Sequence, residues 1–233
     1  MNTTASFDES WRPTVNWDTP AGRVIDRLVD ALPPERTWKI ILFGSSPLQL
    51  ALDPTFLSAD IDIIGSAEVE EFCRRAGLLK GQTPLYVEPC TASAFTVSAD
   101  WLVRACEVPR RHATFVLPHP IDILVSKIKR LEEKDLNAFR LVRTKTGHPT
   151  EDELMCALRR VVDIYRPSFD EESAGDPRHN TQVLWRELFD KAIDVGQQII
   201  APALEERRKN YGAASRGLQE ALRRQGEPPA SET

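Results

Sequence analysis

Two short stretches carry side chains whose types and spacing suit phosphate and metal chemistry. The first is Gly44-Ser45, placed directly after the apolar run 38–43 and before Pro47. A glycine there lets the backbone approach a ligand closely, a following helix start offers free N–H groups, and a serine adds a hydroxyl. Strand, Gly-Ser, helix is also a common plain turn. The second stretch is Asp60-Ile61-Asp62. On a strand, residues i and i+2 share one face, so both carboxylates point together while Ile61 turns into the core. Two ionised carboxylates in that arrangement repel unless a cation lies between them, and magnesium favours such hard oxygen ligands. Two solvated acids at a strand end are the plain alternative.

Taken together, the two stretches place phosphate-holding and metal-holding groups at one edge of one sheet. Here the run FGSSPLQLALDPTFLSADIDIIG (43–65) resembles the nucleotidyltransferase superfamily, in which Gly-Ser is followed by a D-x-D pair. A second block, DILVSKIKRLEEKD (122–135), is similar to the AbiEii-type, toxin-like bacterial branch, as is the upstream stretch 101–104. The resemblance covers roughly residues 36–145. It implies that Lys127 and Asp135 act with Asp60 and Asp62, that Gly44 and Ser45 bind nucleotide, and that Asp60 and Asp62 hold Mg2+ or Mn2+. On an unbroken helix Lys127 and Asp135, two turns apart, would share a face. Read without the resemblance, Lys127 is one surface lysine among Lys129, Arg130 and Lys134. Polymerase-like members use a third carboxylate on a further strand; Glu88 and Asp122 are the candidates, or none.

These groups need a scaffold. Val24, Ile25, Leu28, Val29 and Leu32 fall at helical spacing in 22–32, and Pro33-Pro34 stops that helix. Residues 38–43 and 61–64 read as strands, 47–52 and 67–79 as helices. The stretch 84–95 is β-like, 100–106 suggests a helical turn or two, and 113–117 a strand. Pro118-His119-Pro120 breaks the chain before a helix over 121–132. A second helix, or its continuation, follows over 134–142. Thr150 with Glu153 forms a capping-box pattern for a helix over 151–165. Residues 167–180 read as an acidic loop. Residues 181–224 read as helix with a break at Ala201-Pro202. The expectation is an α+β fold: a nucleotidyltransferase-like mixed sheet with flanking helices, followed by a helical C-terminal region. Its parts are an N-terminal arm (1–21), a core (22–145), the helical region (146–224) and a disordered tail (225–233).

Composition narrows the function. The 233 residues carry a net charge of -5 with 28% charged and 41% hydrophobic residues, which suits a globular protein and not a basic nucleic-acid coat. Arg104, Arg110, Arg111 and His112 are either a local basic track for RNA or ordinary surface. No apolar run reaches the length of a membrane span, and the first residues lack a secretory pattern. The expected location is cytoplasmic. Cys73, Cys90, Cys106 and Cys156 are widely spaced and read as free thiols. The resemblance implies an enzyme that moves a nucleoside monophosphate from a nucleoside triphosphate (NTP) to an RNA (tRNA), protein or small-molecule acceptor. The other reading is a non-catalytic or toxin–antitoxin binding module, with an antitoxin or a second copy as partner.

Overall fold

In the computed structural model, residues 11–166 and 175–211 are described. Helix α1 (Pro20–Ala31) starts where the Thr19 hydroxyl accepts the Gly22 N–H at 3.0 Å. Its stripe of Val24, Ile25, Leu28 and Val29 is buried. Strand β1 (Trp38–Leu42) alternates buried and less buried residues, and helix α2 (Ser46–Ala51) follows the Gly44-Ser45 turn. Next come β2 (Asp60–Ile64), α3 (Ala67–Arg75), β3 (Tyr86–Pro89), the short helix α4 (Trp101–Arg104), β4 (Cys106–Arg110) and β5 (Ala113–Leu117). The rest is helical: α5 (Pro120–Ser126), α6 (Glu133–Thr146), α7 (Glu151–Arg160), a 3₁₀ turn over Val162–Tyr165, α8 (Pro177–Phe189) and α9 (195–211).

The sheet order is β3-β2-β1-β5-β4. β1 runs antiparallel to β2 and parallel to β5, β2 runs parallel to β3, and β4 closes the far edge antiparallel to β5. This is the mixed sheet with flanking helices that the sequence leads one to expect. One sheet face presents Ile40, Leu42, Ile61, Ile63, Val87, Phe115 and Leu117 to α1 and α3, where all are buried. Each buried aliphatic or Phe side chain contributes about 1.5–3 kcal/mol, so the period-two pattern fixes which face turns inward. The alternate residues, among them Asp60, Asp62 and Glu88, stand on the other face. A second apolar cluster joins α5 to α9 through Ile123, Leu124, Phe139, Leu158 and Trp185.

Several expectations needed correction. β4 carries Pro109, which a central strand would not tolerate; it is accommodated because β4 is an edge that pairs with β5. Only Tyr86–Pro89 of the 84–95 stretch is strand. The helix expected over 121–132 stops at Ser126, and Leu131 adopts a positive φ of 42° before α6 begins. The long helix expected after 181 begins earlier, at Pro177, ends at Phe189 with Asp190 in the left-handed region, and resumes at 195. The break expected at Ala201-Pro202 does not occur. A proline there leaves the carbonyl four residues earlier without its helical donor. That carbonyl, Gln198 O, accepts instead from Arg159 Nη2 at 2.7 Å and Nε at 3.1 Å, and a π-helical turn over Gly196–Ile200 precedes it. The capping box is present: the Thr150 N–H donates to Glu153 Oε2 at 2.7 Å and the Glu153 N–H to Thr150 Oγ1 at 3.3 Å. Trp11 of the N-terminal arm is buried, edge-on to His119. Residues 167–174 of the loop expected over 167–180, the end of the last helix and the C-terminal tail lie outside the described residues.

Candidate active site

The parallel register of β2 and β3 sets Asp62 beside Glu88 and Asp60 beside Tyr86. Asp60 and Asp62 are two apart on one strand, so the three carboxylates Asp60, Asp62 and Glu88 converge, each offering an oxygen within 4.8 Å of the others. Ser58 Oγ donates to Asp60 Oδ1 at 3.0 Å. Asp62 is pushed up to about 6, first by burial and then by the charges of Asp60 and Glu88, against which Lys127 and Arg130 pull down. The cluster therefore holds more negative charge than its own surroundings neutralise. All its ligand atoms are hard oxygens, the donor set of Mg2+ and Mn2+. By residue type and spacing it fits a divalent cation.

Gly44 is where the turn meets this cluster. The Phe43 N–H donates to the Asp62 carbonyl at 3.1 Å, which carries the sheet pairing to the edge of the turn. Gly44 then takes φ +67°, and a Cβ there would lie 1.9 Å from Asp62 Oδ2. Only glycine permits both the left-handed turn and that approach. Ser45 precedes α2, but its side chain makes no capping hydrogen bond. Its hydroxyl instead faces Lys127 Nζ, which donates to it at 3.4 Å. α2 is anchored from behind by Gln49, whose Oε1 accepts the Ala21 N–H at 2.8 Å and whose Nε2 donates to Phe56 O at 2.9 Å.

Lys127 is not a surface lysine. Its side chain is 8% exposed, and Nζ donates to Asp135 Oδ1 at 3.0 Å. The two do not share the face of one helix: Lys127 caps α5 and Asp135 sits in the first turn of α6, and the intervening turn brings them together. Asp135 is fully buried and also accepts from Arg130 Nε and Nη2 and from the Glu132 N–H at 3.0–3.2 Å. Burial would raise its pKa, but Arg130, Lys127 and the backbone N–H outweigh that and hold it below the usual carboxylate value. A salt bridge this far from water requires such complete pairing.

Gly44, Ser45, Asp60, Asp62, Glu88 and Lys127 line one cleft of about 980 Å³, together with Cys90, Lys129, Arg130 and Lys134. Asp135 does not line it and reaches it only through Lys127 and Arg130. Of the two candidates for a third carboxylate, Glu88 stands in the cluster and Asp122 does not. Asp122 is buried against Arg104, which donates to it from Nε at 2.9 Å and Nη2 at 2.7 Å. Asp122 is not the helix cap either; His119 Nδ1 accepts the Ile121 N–H at the start of α5. The basic track likewise dissolves: Arg104 is taken by Asp122 and Asp100, Arg110 by Asp26, Arg111 by Asp26 and Asp30, and His112 contacts Leu32 O. Cys90, Lys129 and Arg130 were not singled out from sequence. The only available signal for Cys90 was its place two residues after Glu88 at the end of a strand. The four cysteines are free.

Among known proteins, the family model described as "Nucleotidyltransferase of unknown function (DUF6036)" matches residues 23–141. That span contains every residue of the cluster, the turn and the Lys127–Asp135 pair. No curated protein and no solved structure matches the chain.

Proposed function

We propose, from the premise that the chain belongs to this nucleotidyltransferase family of unknown function, that it transfers a nucleoside monophosphate from an NTP to an acceptor hydroxyl in a metal-dependent reaction. The observation that carries the proposal is the meeting of three carboxylates with Gly44, Ser45 and a buried lysine in one cleft. Asp60, Asp62 and Glu88 would hold the divalent ion. When bound, that ion supplies charge neutralisation for the phosphates and Lewis-acid activation.

The protein's own groups supply the rest. Gly44 leaves room for phosphate oxygens against the backbone, and Ser45 Oγ offers them a hydrogen bond. Lys127, held in place by Asp135, provides a fixed positive charge where the leaving phosphates gain negative charge. The acceptor oxygen forms a bond to the α-phosphorus, the bond from that phosphorus to the bridging oxygen of pyrophosphate breaks, and the acceptor proton passes to Asp60 or Asp62. Asp135 acts as a positioning residue, because its carboxylate meets Lys127 and Arg130 and not the cleft. Of the branches the sequence resembles, the AbiEii-type one would make an RNA or protein the acceptor and an antitoxin a partner.

The test is NTP binding in magnesium, followed by incubation of each labelled NTP with a total tRNA and protein extract. Wild type should bind and transfer label. Asp62→Asn should lose binding, and Lys127→Ala should lower transfer at least about tenfold, roughly 1.4 kcal/mol in the barrier. The exposed Lys80→Ala is the neutral control. If wild type binds no NTP with magnesium or manganese, the reading fails and a non-catalytic module is left.

A further inference from the structure

Lys127 enters the cleft from a turn and not from within a helix: α5 ends at Ser126 and α6 begins at Glu133. Inside that turn Lys127 O accepts from the Arg130 N–H at 3.2 Å and from the Leu131 N–H at 2.8 Å. The next three carbonyls, of Ile128, Lys129 and Arg130, accept from no backbone N–H of the described residues. One side chain meets all three. Asn180 Nδ2 donates to Ile128 O at 2.9 Å and to Lys129 O at 3.2 Å, and it lies 3.4 Å from Arg130 O. A side-chain amide meets carbonyl oxygens only through its NH2, whose two hydrogens are used here. Gly175 closes on the same turn, where a Cβ would lie 1.8 Å from Lys129 O.

Asn180 can hold the turn because α8 is itself fixed. Asp176 Oδ1 accepts the His179 N–H at 2.9 Å and caps the helix. Thr181 is buried and shares a hydrogen bond of 2.9 Å with the Tyr165 hydroxyl, and Leu184 and Trp185 are buried in the helical cluster.

We infer that Asn180 is a positioning residue of the NTP site: it fixes the backbone of the turn that carries Lys127, as Asp135 fixes the head of that side chain. The inference rests on the nucleotidyl-transfer reading, in which Lys127 meets the phosphates. Lys127, Lys129 and Arg130 all line the cleft from this turn, so a shift of its backbone moves three cations together. Charges held in place before the ligand arrives stabilise it more than charges that must first be reordered. The carboxylates stand on β2 and β3 and do not depend on the clamp. Asn180 lies outside residues 23–141, the span that the family model matches. The helical region beyond that span therefore supplies part of the NTP site.

The experiment uses the full chain. Calorimetry gives its affinity for the magnesium complexes of the α,β-methylene analogues of ATP, GTP, CTP and UTP, and melting gives the rise in thermal midpoint with magnesium alone. Asn180→Leu keeps much of the side chain's shape and removes the donor. It should weaken the best-binding analogue at least about tenfold, the scale of a small misplacement of binding groups. The response to magnesium alone should stay as in wild type. Thr181→Val, which breaks the Tyr165 bond on the same helix, is the control: it should lower the midpoint and leave the affinity unchanged. Wild-type affinity in Asn180→Leu overturns the inference. So does a loss of affinity shared by Thr181→Val, which would put the cause in the helix and not in the clamp, or a loss of the magnesium response together with the affinity. Where Asn180→Leu does not fold, Gly175→Ala, which presses on the Lys129 carbonyl, is read in its place by the same criteria. If wild type binds none of the analogues in magnesium, the transfer reading falls and takes this inference with it. Wild-type binding with an unaffected variant removes the inference alone.

Discussion

At the scale of single residues, the site is an electrostatic imbalance built on purpose-shaped backbone. Asp62 is buried beside Asp60 and Glu88, and its carboxyl is pushed up to about 6 from an ordinary 3.8. The folded metal-free protein therefore keeps a proton on Asp62 at pH values where the unfolded chain has lost it. Deprotonation between about pH 4 and pH 6 then works against folding, and the metal-free protein should lose stability as pH rises through that window. At pH 7 the cost is about 3 kcal/mol. Asp62→Asn should remove it, so the metal-free variant should melt higher than wild type at pH 7 and nearly level with it at pH 4. Magnesium should raise the wild-type midpoint and leave the variant's unchanged. A variant that melts lower than wild type at pH 7 would show that the carboxylate is already compensated.

Among the elements, the α5–α6 turn and the α4 helix matter most. The turn brings Lys127 and Asp135 together across eight residues of sequence, and Lys127 then reaches Ser45, which lies 82 residues away in the chain. Behind it, Arg104 at the end of α4 grips Asp122 in the first turn of α5, and both side chains are 6% exposed. Arg104 is held firmly protonated: burial works against its charge, but Asp122 and Asp100 more than restore it. Asp122→Ala would strand that guanidinium in the interior, at a cost of about 3–5 kcal/mol. Urea unfolding should show a loss of that size, whereas the exposed Asp100→Ala should cost far less. Equal losses would mean that Arg104 reaches water once Asp122 is gone.

In the molecule as a whole, two apolar clusters meet at α2: Leu50 belongs to the one beneath the sheet, and Leu48 to the one among the later helices. The sheet cluster presents the carboxylates, and the helical cluster delivers Lys127. A fully buried Phe139 sits in the latter. Phe139→Ala should lower stability by about 3–5 kcal/mol. Because the clusters share one short helix, circular dichroism and tryptophan fluorescence should report a single coincident transition in both proteins. Two separated transitions in the variant would instead show that the helical half melts alone. Among the described residues, no helix is long and apolar enough to cross a membrane.

Much of this was legible in the residues themselves, for reasons that are local. The stripe of α1, the alternation of β1 and β2, the Gly44-Ser45 turn and the Asp60/Asp62 pair follow from side-chain periodicity and backbone sterics, which a chain carries wherever it goes. The resemblance added Lys127 and Asp135 and the family core. What local rules could not reach depended on distance and pairing. Glu88 rather than Asp122 joins the cluster because β3 pairs in parallel with β2, and Asp122 is lost to Arg104. An interior proline does not break α9, because Arg159 from another helix takes the carbonyl it leaves open. Lys127 is buried because a turn at Leu131 folds α6 back onto it. Arg110 and Arg111 are spent on α1 and do not form a basic track. In each case the deciding partner lies far along the chain, and a hydrogen bond or ion pair acts only over a few ångströms, so folding had to bring the partners together before either could have a role.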